Sequence, residues 1–299
     1  MRRTRYDFFD EEFLPRLERL HLAGKHLATR ERHGVRRARR IGDGLEFADH
    51  RAYAPGDDVR FIDWAYYARM EKLLLRLFHE HSESDVGVLL DVSGSMGTGG
   101  SMEKFDYARR CAAALAYVAM GGFERVVVAP FAEDLGAVLR TGRNRAQIFD
   151  VLDSLGGLSP GGRTHFGSCL GQFAQRYPEV GTVLILSDLL DCEADLSAGL
   201  GRLRLTGCDV TAIHLYGPTD ADPRVAGPVV LEQSESGRRC SLDVTEEVLR
   251  SYRERWREFC GACERTCLGR GVTYVGVSTD MAFERLVLFT LRQAGVLTG

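Results

Sequence analysis

From residue 81 to the end of the chain, short continuous apolar runs alternate with segments whose apolar residues recur every three or four positions. The runs DVGVLLDVS (85–93), RVVVAPF (125–131), GTVLILSD (181–188), DVTAIHLYG (209–217) and VTYVGVS (272–278) predict strands. KFDYARRCAAALAYVAM (104–120) predicts a helix with Phe105, Ala108, Cys111, Leu115 and Val118 along one side. RAQIFDVLDSL (145–155) and AFERLVLFTLRQAG (282–295) predict two more, and the loop SPGGRTHFGS (159–168) opens another that ends near Tyr177. DLGAVLRTG (134–142) predicts a short strand after a tight turn. Strands that are apolar throughout, rather than at every second position, belong to a parallel sheet covered on both faces. In such sheets sites form beyond the carboxyl ends of the strands, and Asp91 and Asp188 both stand at that end.

Two regions break the alternation. Residues 1–80 predict a helix, FLPRLERLHLAGKHL, followed by strands around Val59–Asp63 and Leu73–Phe78. Between 218 and 244, PVVLEQSESGRRCSLDV predicts a β-hairpin turning at Ser236-Gly237. The expected organisation is an N-terminal extension over 1–80 and an α/β domain over 81–299 that carries the hairpin as an insertion.

Composition narrows the function classes. The 299 residues can bury a large core. Lys and Arg number 39 against 42 Asp and Glu, a net charge of −3, so no overall charge points to nucleic acid or an anionic membrane. The first forty residues hold twelve Lys/Arg against six Asp/Glu, with VRRARR (35–40) as a basic cluster that reads as a solvated face. No apolar stretch approaches the ~20 residues of a membrane span, and the N-terminus lacks the apolar core of a signal peptide. The expectation is a cytoplasmic protein whose eight cysteines are thiols. Cys260, Cys263 and Cys267 form C-x2-C-x3-C, a spacing that metal sites use. They also continue the apolar stripe of Leu249, Tyr252, Trp256 and Phe259, so they are read as buried core thiols that bind no metal, although Cys240 could supply a fourth ligand.

The stretch GVLLDVSGSMGTGG (87–100) carries the chemistry. Asp91 ends a buried strand, Ser93 and Ser95 follow at every second position, and a glycine-rich exit comes next. A phosphate cradle would need G-x-x-x-x-G-K-[ST], which is absent. A phosphatase of the haloacid dehalogenase type would need a second acid where Ser93 stands. A serine nucleophile would need G-x-S-x-G and a base, for which His165 is the nearest candidate. A metal site gains from residues further along: Thr164 in the glycine-rich loop before a helix, and Asp188 after the next buried strand. Two carboxylates and three hydroxyls suit Mg²⁺ or Mn²⁺, and the lack of thiols and imidazoles argues against zinc.

Asp91-x-Ser93-x-Ser95, Thr164 and Asp188, in this order on this strand pattern, resemble the metal-ion-dependent adhesion site of von Willebrand factor A domains. The resemblance covers residues 82–299. It implies a doubly wound, mostly parallel sheet of the Rossmann-like kind with one antiparallel edge strand, here at 134–140. It also implies that a carboxylate from a partner protein completes the ion's coordination. Upstream, Glu46, Phe47, Arg51, Tyr53, Pro55, Gly56, Asp57, Asp58, Arg60, Ile62, Asp63 and Trp64 resemble the string that marks the bacterial family called domain of unknown function 58. Ala65 and Tyr66 depart from the basic and small residues usual there. That resemblance implies a MoxR-type AAA+ ATPase as partner.

The string itself reads as a clasp. Pro55-Gly56 turns the chain, and Asp57-Asp58 can cap the turn or pair with Arg51, Arg60 or Arg69. The clasp would fasten the N-terminal strands to the main domain; the rival is a second partner surface. Trp64 reads as a core anchor, and His79 and His81 as members of a solvated edge. The functional expectation is a non-enzymatic, metal-dependent interaction module: Mg²⁺ or Mn²⁺ is held by Asp91, Ser93, Ser95, Thr164 and Asp188, and a partner supplies Glu or Asp. The alternative is a metal-dependent hydrolase using the same ion.

Overall fold

The computed structural model describes residues 12–28, 46–54, 57–79, 85–98, 104–121, 124–142, 144–190, 193–232 and 237–293. The basic cluster at 35–40, the Pro55-Gly56 turn, His81 and Ser236 lie outside them. The chain divides into two compact units, one formed by Met1–Arg32 with Ser84–Gly299 and the other by His33–Glu83. The first helix, α1 (Phe13–Ala28), therefore belongs with the α/β domain and not with an extension ending at residue 80. The reason is its apolar stripe: Phe13, Leu17 and Leu20 are buried in that domain's core, and each contributes about 1.5–3 kcal/mol by leaving water.

The small unit is a strand pair with a helical turn between its strands. β1 (Glu46–Ala52) and β2 (Leu74–His79) pair antiparallel. Between them, Val59–Phe61 forms a 3-10 turn and α2 (Trp64–Met70) a two-turn helix, where a strand over Val59–Asp63 was expected. Of that segment, Ile62 alone keeps a ladder contact, an isolated bridge to Leu75, and both of these side chains are buried. The helix starts because the Asp63 side chain accepts from Tyr66 N at 2.9 Å, while its other oxygen meets His50 Nε2 at 2.9 Å. Asp57 accepts from Ala54 N and pairs with Arg51, and Asp58 caps Arg60 N and pairs with its guanidinium. The family string thus ties this unit to itself. Trp64 is not a core anchor: it is 58% exposed, meeting Tyr67 edge-on, because so short a helix leaves its first residue outside the Ile62–Leu75 contact.

The α/β domain runs β3 (Asp85–Asp91), α3 (Lys104–Gly121), β4 (Val126–Phe131), β5 (Leu139–Arg140), α4 (Ile148–Gly156), α5 (Phe166–Arg176), β6 (Val180–Ser187), α6 (Glu193–Leu205), β7 (Asp209–Tyr216), α7 (Pro218–Ala221), β8 (Gly227–Glu232), β9 (Arg239–Val244), α8 (Glu246–Gly269), β10 (Thr273–Ser278) and α9 (Phe283–Gln293). Its sheet has the order β10-β7-β6-β3-β4-β5. Every pairing is parallel except β4 with β5, the antiparallel edge, which is shorter than the expected 134–140. This is the expected doubly wound, mostly parallel sheet with one antiparallel edge. The insertion β8–β9 pairs antiparallel as a separate hairpin.

The pleat sends alternate residues to the two faces. Val86, Val88 and Leu90 join one core with α1, α3, α4 and α9, while Leu89 joins the other with α5, α6 and α8. Gly87 lacks a side chain because a Cβ there would come 2.8 Å from Phe173 Cζ of α5. Helix α3 is buried almost all round, and its alanines allow the close approach that this requires. In α8, Cys263 and Cys267 are buried as expected, but Cys260 is only half-buried, one turn nearer the exposed part of the helix. Among the described residues no helix is long and apolar enough to cross a membrane.

Candidate metal centre

The carboxyl ends of β3 and β6 are adjacent, since Leu90 pairs with Leu186. One residue further on each strand stand Asp91 and Ser187, and the Ser187 hydroxyl donates to Asp91 Oδ2 at 2.6 Å. Asp91 Oδ1 accepts from Ser93 N at 2.9 Å, a turn that bends the chain away from the strand. Ser93 and Ser95 share a hydrogen bond at 3.1 Å between their hydroxyls, and Ser95 Oγ donates to Asp188 Oδ1 at 3.1 Å. Four of the five expected residues therefore form one cluster, and all four are buried.

Thr164 arrives on the loop before α5. Gly161 N donates to Val92 O at 2.8 Å and Gly94 N to Gly162 O at 3.0 Å, stitching this loop to the segment that carries both serines. Gly162 sits at φ +76°, a conformation that L side chains rarely adopt. His165 N then donates to Ala132 O just beyond β4, so Thr164 stands at the same end of the sheet as Asp91 and Asp188. The His165 ring turns to the loop, with Nδ1 3.0 Å from the Glu133 carbonyl oxygen.

Several partners were not foreseen. Lys104, the first residue of α3, is 1% exposed and donates to Asp188 Oδ2 at 2.8 Å. Its ammonium also lies 3.2 Å from Asp220 Oδ2, on α7. Burial alone would lower the Lys104 pKa; the two carboxylates outweigh it and hold the lysine above its ordinary value. After Asp188 the chain turns through Leu189 at φ 53°, unusual for a residue with a side chain. Leu189 N donates to Ser187 Oγ and Leu190 N to Asp188 Oδ1, so this left-handed residue lets the strand end wrap its own polar groups. His214 on β7 is also buried; burial pushes its pKa down to about 4 and keeps it neutral, and its Nδ1 meets Tyr274 Oη at 2.6 Å.

The electrostatics test whether these residues suit a cation. Burial, then the charge of Asp188, raises the Asp91 pKa to about 7 despite the donors around it. Thr164 Oγ1 is buried with no hydrogen-bond partner, a condition that costs about 1–3 kcal/mol. Two carboxylates that repel one another and a buried hydroxyl without a partner are what an oxygen-preferring cation relieves. Among the described residues no three His, Cys, Asp or Glu side chains converge as a metal site would need, so any ion here would rely on hydroxyls beside the two carboxylates.

Comparison with known proteins places the chain. The family model "Protein of unknown function DUF58" matches residues 49–258. The chain belongs to the DUF58 family. Uncharacterized proteins of Mycobacterium bovis and Mycobacterium tuberculosis resemble this DUF58 protein at 29% identity over 248 residues, covering 80% of this chain and 77% of each relative. Among solved structures it is similar to the conserved hypothetical protein BatB of Bacteroides thetaiotaomicron, at 14% identity and TM-score 0.43, over 71% of this chain and 99% of that one. It is also similar to the SpRpn10 VWA domain, at 11% identity and TM-score 0.40, over 72% and 97% of the two chains.

Proposed function

We propose that this DUF58 protein is a non-enzymatic, metal-dependent interaction module. Ser93, Ser95 and Thr164 hold Mg²⁺ or Mn²⁺, with Asp91 and Asp188 bound directly or through water. The observation that carries the reading is the meeting of two buried carboxylates with Ser93 and Ser95 at the carboxyl end of the sheet, with the partnerless Thr164 hydroxyl at that same end. Hydroxyls are neutral donors, so an ion held by three of them keeps more of its charge than one in an all-carboxylate cage. When bound, the ion supplies an electrophilic point for one carboxylate of a partner protein. The protein's own part is to fix the ligands: Ser187 and Ser93 N hold Asp91, while Lys104 and Leu190 N hold Asp188.

The partner we propose is a MoxR-type AAA+ ATPase encoded alongside, acting with this protein in assembly or activation of targets. The test is affinity for that ATPase in Mg²⁺, in EDTA, and with Asp91→Ala. Binding that needs both the ion and Asp91 is expected. Equal affinity under all three conditions would refute the adhesion mechanism.

A further inference from the structure

We propose that Lys104 sets the charge of this metal centre, lowering its affinity for the divalent ion and raising the loaded site's affinity for a partner's carboxylate. The inference rests on the metal reading above and concerns what tunes it.

Lys104 is an unusual residue to bury. It opens α3, where the helix's own partial positive charge disfavours a cation, and an ammonium leaves water at a heavy cost unless it is paired. Its partners are Asp188 Oδ2 at 2.8 Å and Asp220 Oδ2 at 3.2 Å. Asp220 is tied down in turn, its Oδ2 accepting from Gly217 N at 2.8 Å. The ammonium is thus held between a residue of the cluster and an acid outside it.

Asp188 divides its two oxygens between different tasks. Oδ1 faces Ser95 Oγ and Leu190 N, on the side of the serines; Oδ2 is taken by Lys104. Asp188 can therefore offer the ion one oxygen while the other is neutralised from behind. With both acids ionised, Asp91, Asp188 and Lys104 together carry −1, and a divalent ion brings the group to +1. Without the lysine the same group would close at zero. Asp220 offsets part of this difference, but it is the more exposed of the two acids, and solvent screens it. Without the lysine's charge Asp188 loses its hold at Oδ2 but stays anchored through Oδ1, which keeps two donors of its own. A neutral residue at 104 therefore strengthens ion binding and removes the surplus positive charge that a carboxylate answers.

The experiment is calorimetric titration of Mn²⁺ into the full chain, comparing wild type, Lys104→Gln, Lys104→Met, Lys104→Arg and Asp91→Ala. Glutarate is then titrated into each Mn²⁺-loaded protein as the carboxylate probe. Gln keeps an amide donor for both acids without charge, Met keeps length without polarity, and Arg keeps the charge. We expect both neutral variants to bind Mn²⁺ about ten-fold more tightly and glutarate more weakly, with Lys104→Arg close to wild type. Neutral variants that bind Mn²⁺ no better than wild type, while Asp91→Ala loses it, would overturn the role of Lys104 and leave the metal reading standing. Failure of both neutral variants to fold would make the lysine structural and overturn it equally. Wild type and Asp91→Ala binding Mn²⁺ alike would refute the metal reading itself.

Discussion

Replacing Asp91 with asparagine should stabilise the ion-free protein at alkaline pH, although it removes a proposed ligand. The folded protein raises the Asp91 pKa from 3.8 to about 7, through burial first and Asp188 second. A carboxyl that holds its proton more tightly when folded costs no stability below pH 4, where both states are protonated. The cost grows as the unfolded state ionises and the folded state does not, and is complete above pH 7. Three pKa units correspond to about 4 kcal/mol. Asparagine avoids that cost and still offers an oxygen to Ser93 N, but it turns an amide toward the Ser187 hydroxyl, which must reorient at about 1 kcal/mol. The expected net gain is about 1–3 kcal/mol at pH 8 in EDTA, shrinking toward zero or below near pH 4. Urea denaturation of both proteins across that range reads it directly. Saturating Mg²⁺ should reverse the order, since only the wild type gains stability from a ligand bound to its folded state. An Asp91→Asn variant that is less stable in EDTA at pH 8, by a margin that does not change with pH, would refute the reasoning.

Thr164→Val should leave ion-free stability unchanged or slightly higher, because the hydroxyl has no partner to lose, while calorimetry shows Mn²⁺ affinity reduced about ten-fold or more. Phe13→Ala should cost about 3–5 kcal/mol in thermal or urea unfolding, as its ring is buried against Phe283 at a centroid separation of 5.3 Å. Trp64→Ala should cost less than about 1 kcal/mol by the same measurement, since most of its surface already faces water.

The parts legible in the sequence were those whose pattern has one physical solution. Runs such as Val86–Leu90 and Val183–Leu186 are apolar at every position because the sheet is covered on both faces, and they locate the strand ends that carry Asp91 and Asp188. Positions whose environment is set by distant segments were not legible. Lys104 reads only as the first residue of a predicted helix, and it is the fold that brings it between the carboxylates of Asp188 and Asp220. Ser187 reads as the last residue of a strand, yet it is the donor that holds Asp91. The segment around Trp64 has apolar residues at spacings that fit a strand or a helix. The Asp63 cap decides for the helix, through one side-chain hydrogen bond that periodicity does not register.

The packing of α1 on the closing helix has a consequence for synthesis. Phe13 meets Phe283 and Arg16 lies 3.6 Å from Glu284, so α1 is completed by a helix translated long after it. The roughly 270 residues between them take about 15–50 s to translate at ordinary speeds. Throughout that interval Phe13 lacks part of its cover, even once α3 has emerged. A nascent chain of this protein therefore carries a partly uncovered apolar residue on α1 through that interval, and chaperones that meet chains at the ribosome should find it there.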